Sequence, residues 1–170
     1  MLCEYGERGM TVIAFKDGVM AADTQLTQHN SKVRAQKIVR LPDGGVAGGC
    51  GSWAAAYAGL KWLADGGSDS GDEGKKFLPE IEDSTILIAR PDGSLWLLES
   101  RVPAFPITDK FAVIGCGSDA GVMALRSGKS AIEAVHAVIG QDVLCGDPVQ
   151  SMEVEETHEY SGAKTHRKRK

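Results

Sequence analysis

The sequence predicts an α+β sandwich in which helices lie outside antiparallel sheets. Three observations carry that expectation. Asp-Gly pairs stand between apolar segments at three places in the first hundred residues. The segments they join are apolar at successive positions, as in Val12-Ile13-Ala14-Phe15 and Ile86-Leu87-Ile88-Ala89, which fits sheets covered on both faces. Segments with helical spacing lie between and after the hairpins, so the order is strands, helix, strands, helices, strand.

Taken in order, Lys16-Asp17-Gly18 separates Thr11–Phe15 from Val19–Ala22. Pro42-Asp43-Gly44-Gly45 separates Lys37–Leu41 from Val46–Gly49, and Pro91-Asp92-Gly93-Ser94 separates Thr85–Arg90 from Leu95–Glu99. Asp-Gly supplies the positive φ of a two-residue hairpin turn, so three β-hairpins are expected. Ser52 caps a helix running to about Ala64, with Trp53, Tyr57 (or Ala56), Leu60 and Leu63 at helical spacing and Gly66-Gly67 as its stop. Residues Gly66–Lys76 are rich in Gly, Ser, Asp and Glu and read as an exposed loop. Phe111–Gly115 is a further strand, and Ser118 caps Asp119–Ser127, which stops at Gly128. Ser130 with Glu133 forms a capping box opening Ala131–Gly140, with Ile132, Val135 and Ile139 as its apolar stripe. Pro148–Val154 closes the series as a strand, with no internal repeat and no linker.

Composition bounds the function. A chain of 170 residues fits one domain. With 42% hydrophobic and 25% charged residues it is not a disordered chain. No apolar run approaches the roughly 18 residues of a membrane span. The net charge of −4 hides an asymmetry: Lys164 to Lys170 carry five of the 19 Lys/Arg, leaving 14 basic against 23 acidic side chains, or −9, for residues 1–163. Such an acidic body does not suit nucleic acid, whose phosphates need clustered Lys/Arg. The basic end, residues 157–170, reads as a solvated tail. Cys3, Cys50, Cys116 and Cys145 show no CxxC spacing, and residues 1–9 lack the apolar core of a secretory signal. Reduced thiols in a cytoplasmic protein are expected, with no metal site and no cofactor.

Thr11 is the first residue that can carry chemistry. An internal Thr opening a strand is ordinary, but Met10 directly precedes it. Translation starting at Met10 with removal of that methionine, or self-cleavage, leaves Thr11 as the N-terminus, so residues 1–10 read as a leader or mis-assigned start. A terminal Thr carries its own base, an α-amine with a reference pKa of about 7.7–8.0. A turn at Asp17-Gly18 sets Phe15 against Met20 and Thr11 against Thr24, which brings Asp23 beside the strand's first residue. Lys37 opens the next strand, where a lysine ordinarily faces solvent; buried beside that amine it would lower the amine's pKa, and Asp23 would neutralise the lysine.

From Thr11 to Asp23 the chain resembles the N-terminal block of proteasome β-subunits and the bacterial HslV peptidase, threonine-type N-terminal-nucleophile hydrolases. The resemblance continues through Lys37-Ile-Val-Arg-Leu, Val46-Ala-Gly-Gly-Cys-Gly51, Ile114-Gly-Cys-Gly117 and Asp142-Val-Leu-Cys-Gly146. It implies a four-layer α/β/β/α sandwich over residues 11–156, with Thr11 as nucleophile and Asp23 and Lys37 as the ion pair beneath it. It further implies Gly48 N–H as oxyanion donor and Asp142 as an acidic residue near the threonine amine. Val46 and Cys50 match positions lining the pocket for an apolar residue before the cut bond. Stacked rings, an ATP-driven unfoldase partner and a polypeptide substrate follow from the same resemblance.

Two departures stand out. Cys116 and Cys145 occupy positions where the family has serines around the amine, and a thiol is a weaker hydrogen-bond donor. The family's second long helix is missing from Gly66–Asp83, where at most Lys75–Glu82 makes a short turn, so the outer helical layer is shortened. His136 beside the apolar stripe of its helix is expected to pack rather than to bind metal. The expected activity is peptide hydrolysis inside a multi-subunit chamber. The alternatives are a catalytically silent ring subunit, an amidase of the same superfamily acting on a small molecule, and a structural sandwich.

Overall fold

The computed structural model describes residues 11–28 and 31–155; the expected leader at 1–10 and basic tail at 157–170 lie outside them. The first hairpin joins β1 (Val12–Lys16) to β2 (Val19–Ala22) with Phe15 opposite Met20, as the turn predicts. Asp17 and Gly18 both take positive φ, +51° and +78°, the left-handed pair that a type I′ turn requires. β10 (Phe111–Gly115) adds to the free side of β1 and β11 (Gln150–Glu153) to that of β2, so the first sheet runs β10-β1-β2-β11, all antiparallel.

The second sheet runs β5-β6-β7-β8-β9, from β5 (Ile38–Arg40), β6 (Val46–Gly51), β7 (Ser84–Ala89), β8 (Leu95–Leu98) and β9 (Phe105–Ile107). Its two Asp-Gly turns are longer than the expected two residues. Leu41 N–H donates to Gly45 O across Pro42–Gly44, and Arg90 N–H donates to Ser94 O across Pro91–Gly93. Each loop of three residues ends in a glycine of positive φ, because proline at its first position favours a type I turn closed by a left-handed residue. β3 (Gln25–Gln28) and β4 (Ser31–Arg34) form a separate two-stranded sheet. Neither this hairpin nor β9 was evident from periodicity, since β3 and β4 are short and largely polar and β9 is three residues with a proline at its centre.

Strand alternation sorts the apolar residues into three cores. Ile13, Phe15, Met20 and Ala22 face the other sheet and meet Ile38, Val46, Leu87, Ala89 and Leu95. Val12, Ala14 and Ala21 face outward under α3 (Ser118–Arg126) and α4 (Ala131–Ile139). Ala47, Ile86 and Ile88 lie under Leu60 and Leu63 of α1 (Trp53–Ala64). The result is helices on sheet on sheet on helix.

Several local expectations change. α3 is capped by Gly117 in the left-handed region, not by Ser118, which is its first residue. On α1 the buried face is Ala56, Gly59, Leu60 and Leu63, and Tyr57 is exposed. On α4 the buried face is Ala131, Ala134, Val135 and Val138, and Ile132 is exposed: the small alanines let the helix approach β1 closely, which rotates the stripe. His136 is accordingly exposed, with Nδ1 3.6 Å from Asp147 Oδ1, rather than packed on the apolar face. Residues Gly71–Phe77 form a short helix, α2, where a loop was expected. Asp72 and Glu73 in its first turn and Lys75 and Lys76 in its last complement the helix dipole. Gly74 lets it seat on the Ser68 carbonyl and on Val102, since a Cβ there would strike that carbonyl oxygen and press both Val102 methyl carbons at 3.2 Å. α2 is only 7 residues long, against 12 for α1.

Among the described residues no helix is long and apolar enough to cross a membrane. The Ser130–Glu133 capping box is present in both directions, Glu133 N–H to Ser130 Oγ at 3.3 Å and Ser130 N–H to Glu133 Oε2 at 2.8 Å. Ser130→Ala is therefore expected to lower stability by about 1 kcal/mol, read as a lower denaturant midpoint at unchanged slope.

Candidate active site

The β1–β2 ladder ends at Asp23, whose N–H donates to Val12 O at 3.3 Å while its own Oδ1 accepts the Val12 N–H at 3.1 Å. Both faces of the hairpin are covered, so the carboxylate is fully buried. Lys37 enters from the other sheet, just before β5, and is also fully buried. Its Nζ donates to Asp23 Oδ1 at 2.9 Å and to the Gln25 carbonyl at 2.5 Å. Asp23 Oδ2 accepts two more backbone donors, Gln25 N–H at 3.1 Å and Gly146 N–H at 3.3 Å. A buried charge pair persists only when its remaining lone pairs and protons are bonded in this way. Burial pushes the Lys37 pKa down, and the charge and hydrogen bond of Asp23 act against that shift without cancelling it.

Thr11, only 1% exposed, sits at the head of β1, one residue from the Val12 amide that Asp23 holds. Its carbonyl accepts the Cys116 N–H at 2.9 Å. Gly115, opposite Val12 at the end of β10, has φ +95°, and a side chain there would strike that same carbonyl. A Cβ on Gly115 would also lie 3.4 Å from Cys50 Cβ, so Cys50 at the end of β6 borders this corner. Cys145 is buried beside the ion pair, in the loop whose Gly146 bonds Asp23. Asp142 organises that loop: Oδ1 accepts Leu144 N–H at 3.0 Å and its carbonyl accepts Cys145 N–H at 3.2 Å. The structure therefore brings Thr11, Asp23, Lys37, Cys50, Cys116, Asp142 and Cys145 to one end of the facing sheets.

Cys50 and Cys145 are free thiols. Burial pushes Cys50 up to about 12, reinforced by Cys116. Burial, with the charges of Asp23 and Asp142, pushes Cys145 up to about 12 as well. Both are neutral thiols near neutral pH and neither is a nucleophile there. Among the described residues no group of His, Cys, Asp and Glu is placed to hold a metal ion.

Two expected roles are not met in this geometry. Gly48 pairs with Ile38 on one side and Leu87 on the other. Gly49 N–H donates to Lys37 O toward β5 and Ser52 N–H to Asp83 O toward the β7 side. Alternation between those bonds turns the Gly48 N–H toward β7 rather than leaving it free. Gly48 is instead indispensable for packing, because a Cβ would lie 2.8 Å from Ile13 Cγ2 and 2.9 Å from Met20 Sδ. Val46 is fully buried in the core between the sheets, which leaves none of its surface for a substrate side chain.

Sequence reasoning missed Gln25, Gly146 and Gln150. Gln25 holds the lysine through its carbonyl and, through Nε2, reaches Thr27 Oγ1 at 3.3 Å and Val143 O at 3.1 Å. It also lines an open cleft of about 540 Å³ with Lys32, Val33, Arg34 and Asp147. The available signal was a polar residue at an inward position of a strand, as Gln150 is in β11.

No protein-family model matches the chain, and no curated protein matches it. Solved structures do. Thiobacillus denitrificans BPH in complex with epoxomicin superimposes with a TM-score of 0.60 at 22% identity, covering 86% of this chain and 99% of that one. A second structure of Thiobacillus denitrificans BPH gives a TM-score of 0.56 at 22% identity, over 86% of this chain and 98% of that one. The chain thus shares the fold of that protein over nearly its full length.

Two outcomes follow for the site. Lys37→Met leaves the Asp23 carboxylate buried without its counter-charge and should cost about 3–5 kcal/mol in denaturant unfolding, at the lower end because three backbone donors remain. Cys50 and Cys145 should resist iodoacetamide at pH 8 in the native protein, with labelling rising as pH climbs toward 12, whereas the unfolded chain is labelled at both; peptide mass mapping reads the difference.

Proposed function

We propose that the chain is a threonine-type peptidase of the N-terminal-nucleophile class, active when Thr11 carries a free amine. The observation that supports this most is the fully buried Lys37–Asp23 pair, bonded through the Val12 amide to the residue beside Thr11. It stands on a fold shared with a protein solved in complex with epoxomicin, a proteasome inhibitor.

In this reading the Thr11 hydroxyl attacks a peptide carbonyl and passes its proton through a water to the Thr11 amine. The buried ammonium of Lys37 lowers the pKa of that amine and keeps a fraction of it unprotonated at neutral pH, while Asp23 holds the lysine in place. An acyl-enzyme forms on Thr11 Oγ, the leaving amine takes the proton, and water then releases the acyl group. Gly48 N–H would have to leave its place beside β7 to bind the oxyanion. Cys145 is a buried neutral thiol beside the ion pair, and the Cys116 N–H holds the Thr11 carbonyl. Self-association into rings, with an ATP-driven unfoldase feeding polypeptide, belongs to the same reading.

A catalytically silent subunit is the second reading, favoured by the position of Thr11 after Met10 in the chain and by its 1% exposure. N-terminal sequencing, hydrolysis of a fluorogenic peptide series and inhibition by epoxomicin separate the two. The peptidase reading expects sequencing to begin at Thr11-Val12-Ile13, hydrolysis to be blocked by epoxomicin, and Thr11→Ala to lose about 10³-fold or more in kcat. A protein that begins Met1-Leu2-Cys3 and still cuts peptides would overturn the mechanism; one that begins there and cuts nothing makes the silent subunit the better reading.

A further inference from the structure

The geometry points to Gln150 as the positioning residue of the site, a side chain that clamps the backbones of both members of the ion pair. This rests on the reading of Lys37 and Asp23 given above and extends it to a strand outside the resembling motifs.

The placement follows from β11. Gln150 and Met152 alternate inward while Ser151 and Glu153 are exposed, and Met152 packs in the core between the sheets. An amide at an inward position is unfavourable unless its polar atoms are bonded. Gln150 Oε1 accepts the Lys37 N–H at 2.9 Å, and Nε2 donates to Asp23 O at 3.0 Å and to Ala35 O at 3.2 Å. The orientation of the amide is forced, because a backbone N–H only donates and the two carbonyls only accept.

The consequence lies in where the partners come from. Asp23 follows β2 of one sheet, and Lys37 precedes β5 of the other. The register places Gln150 opposite Ala22, next to Asp23, so beside Lys37 itself it is a side chain that spans from one sheet to the other at that point. Without it, the two backbones keep the Ala35 N–H to Thr24 O bond and the ion pair itself, and the rest of their separation is set by apolar packing. Apolar contacts tolerate shifts of several tenths of an ångström, whereas a 2.9 Å charged hydrogen bond aimed beneath a nucleophile does not. Gln150 thus acts through Lys37 and Asp23 rather than on substrate.

Two variants of the full chain test this. Gln150→Met removes all three bonds at similar volume, and Gln150→Glu keeps an acceptor for the Lys37 N–H while losing both donors. The first readout is hydrogen exchange at the Lys37 amide by NMR, which needs no activity. Faster exchange in Gln150→Met with protection retained in Gln150→Glu supports the clamp, and unchanged exchange in Gln150→Met overturns it. The second readout is steady-state peptide hydrolysis. A loss of about 10- to 100-fold in kcat at little-changed KM in Gln150→Met, with native circular dichroism, supports a positioning role. Unchanged kcat, or a rise in KM alone, overturns it while leaving the peptidase reading intact. An unsubstituted chain inert to peptides counts against the peptidase reading, and the exchange experiment still decides the clamp.

Discussion

The ammonium of Lys37 and the carboxylate of Asp23 are held together at the meeting point of the two sheets with no water-exposed surface on either side chain. Desolvating two charges costs several kcal/mol each, and Coulomb attraction offsets that only in good geometry. The geometry here is supplied by backbone. Asp23 receives the Val12, Gln25 and Gly146 amides, and Lys37 has the Gln25 carbonyl as its second acceptor. The first hairpin, the start of β3 and the 142–148 loop are thereby pinned to one pair of atoms. A change in any of these segments is felt by the pair, and through the Val12 amide by Thr11.

The same burial shapes the chemistry around the pair. Low dielectric disfavours charge on every group near it, which is why Lys37 titrates below its ordinary range and the Cys50 and Cys145 thiols above theirs. Cys145 feels in addition the carboxylates of Asp23 and Asp142, which would repel a thiolate. The corner thus keeps the Lys37–Asp23 charge pair and holds Cys50 and Cys145 neutral. A neutral thiol packs like a small apolar side chain, so cysteine can stand in these positions without adding a competing nucleophile.

Much of the fold was legible because it rests on local chemistry. The Asp17-Gly18 turn fixed the register of β1 on β2 and with it the place of Asp23, since only a left-handed pair closes a two-residue hairpin. The Ser130–Glu133 box marked the start of α4 for the same kind of reason. Periodicity did less well where small residues blur it. On α4 the alanines, not Ile132, turned out to face the sheet, and α2 formed from a Gly-rich stretch because its end charges and its seat on Val102 favour helix.

By itself the sequence determined the three Asp-Gly hairpins, the capping box of α4 and the residue types gathered at the site, because each depends on neighbours along the chain or on a motif whose parts keep their spacing. Which of those residues meet was decided only in three dimensions. The direction of the Gly48 amide depends on the β6–β7 ladder, the burial of Val46 on how one sheet covers the other, and the grip of Gln150 on a contact 113 residues away in the chain. Hydrogen bonds of that range are set by the packing of whole sheets, and no local pattern of side chains encodes them.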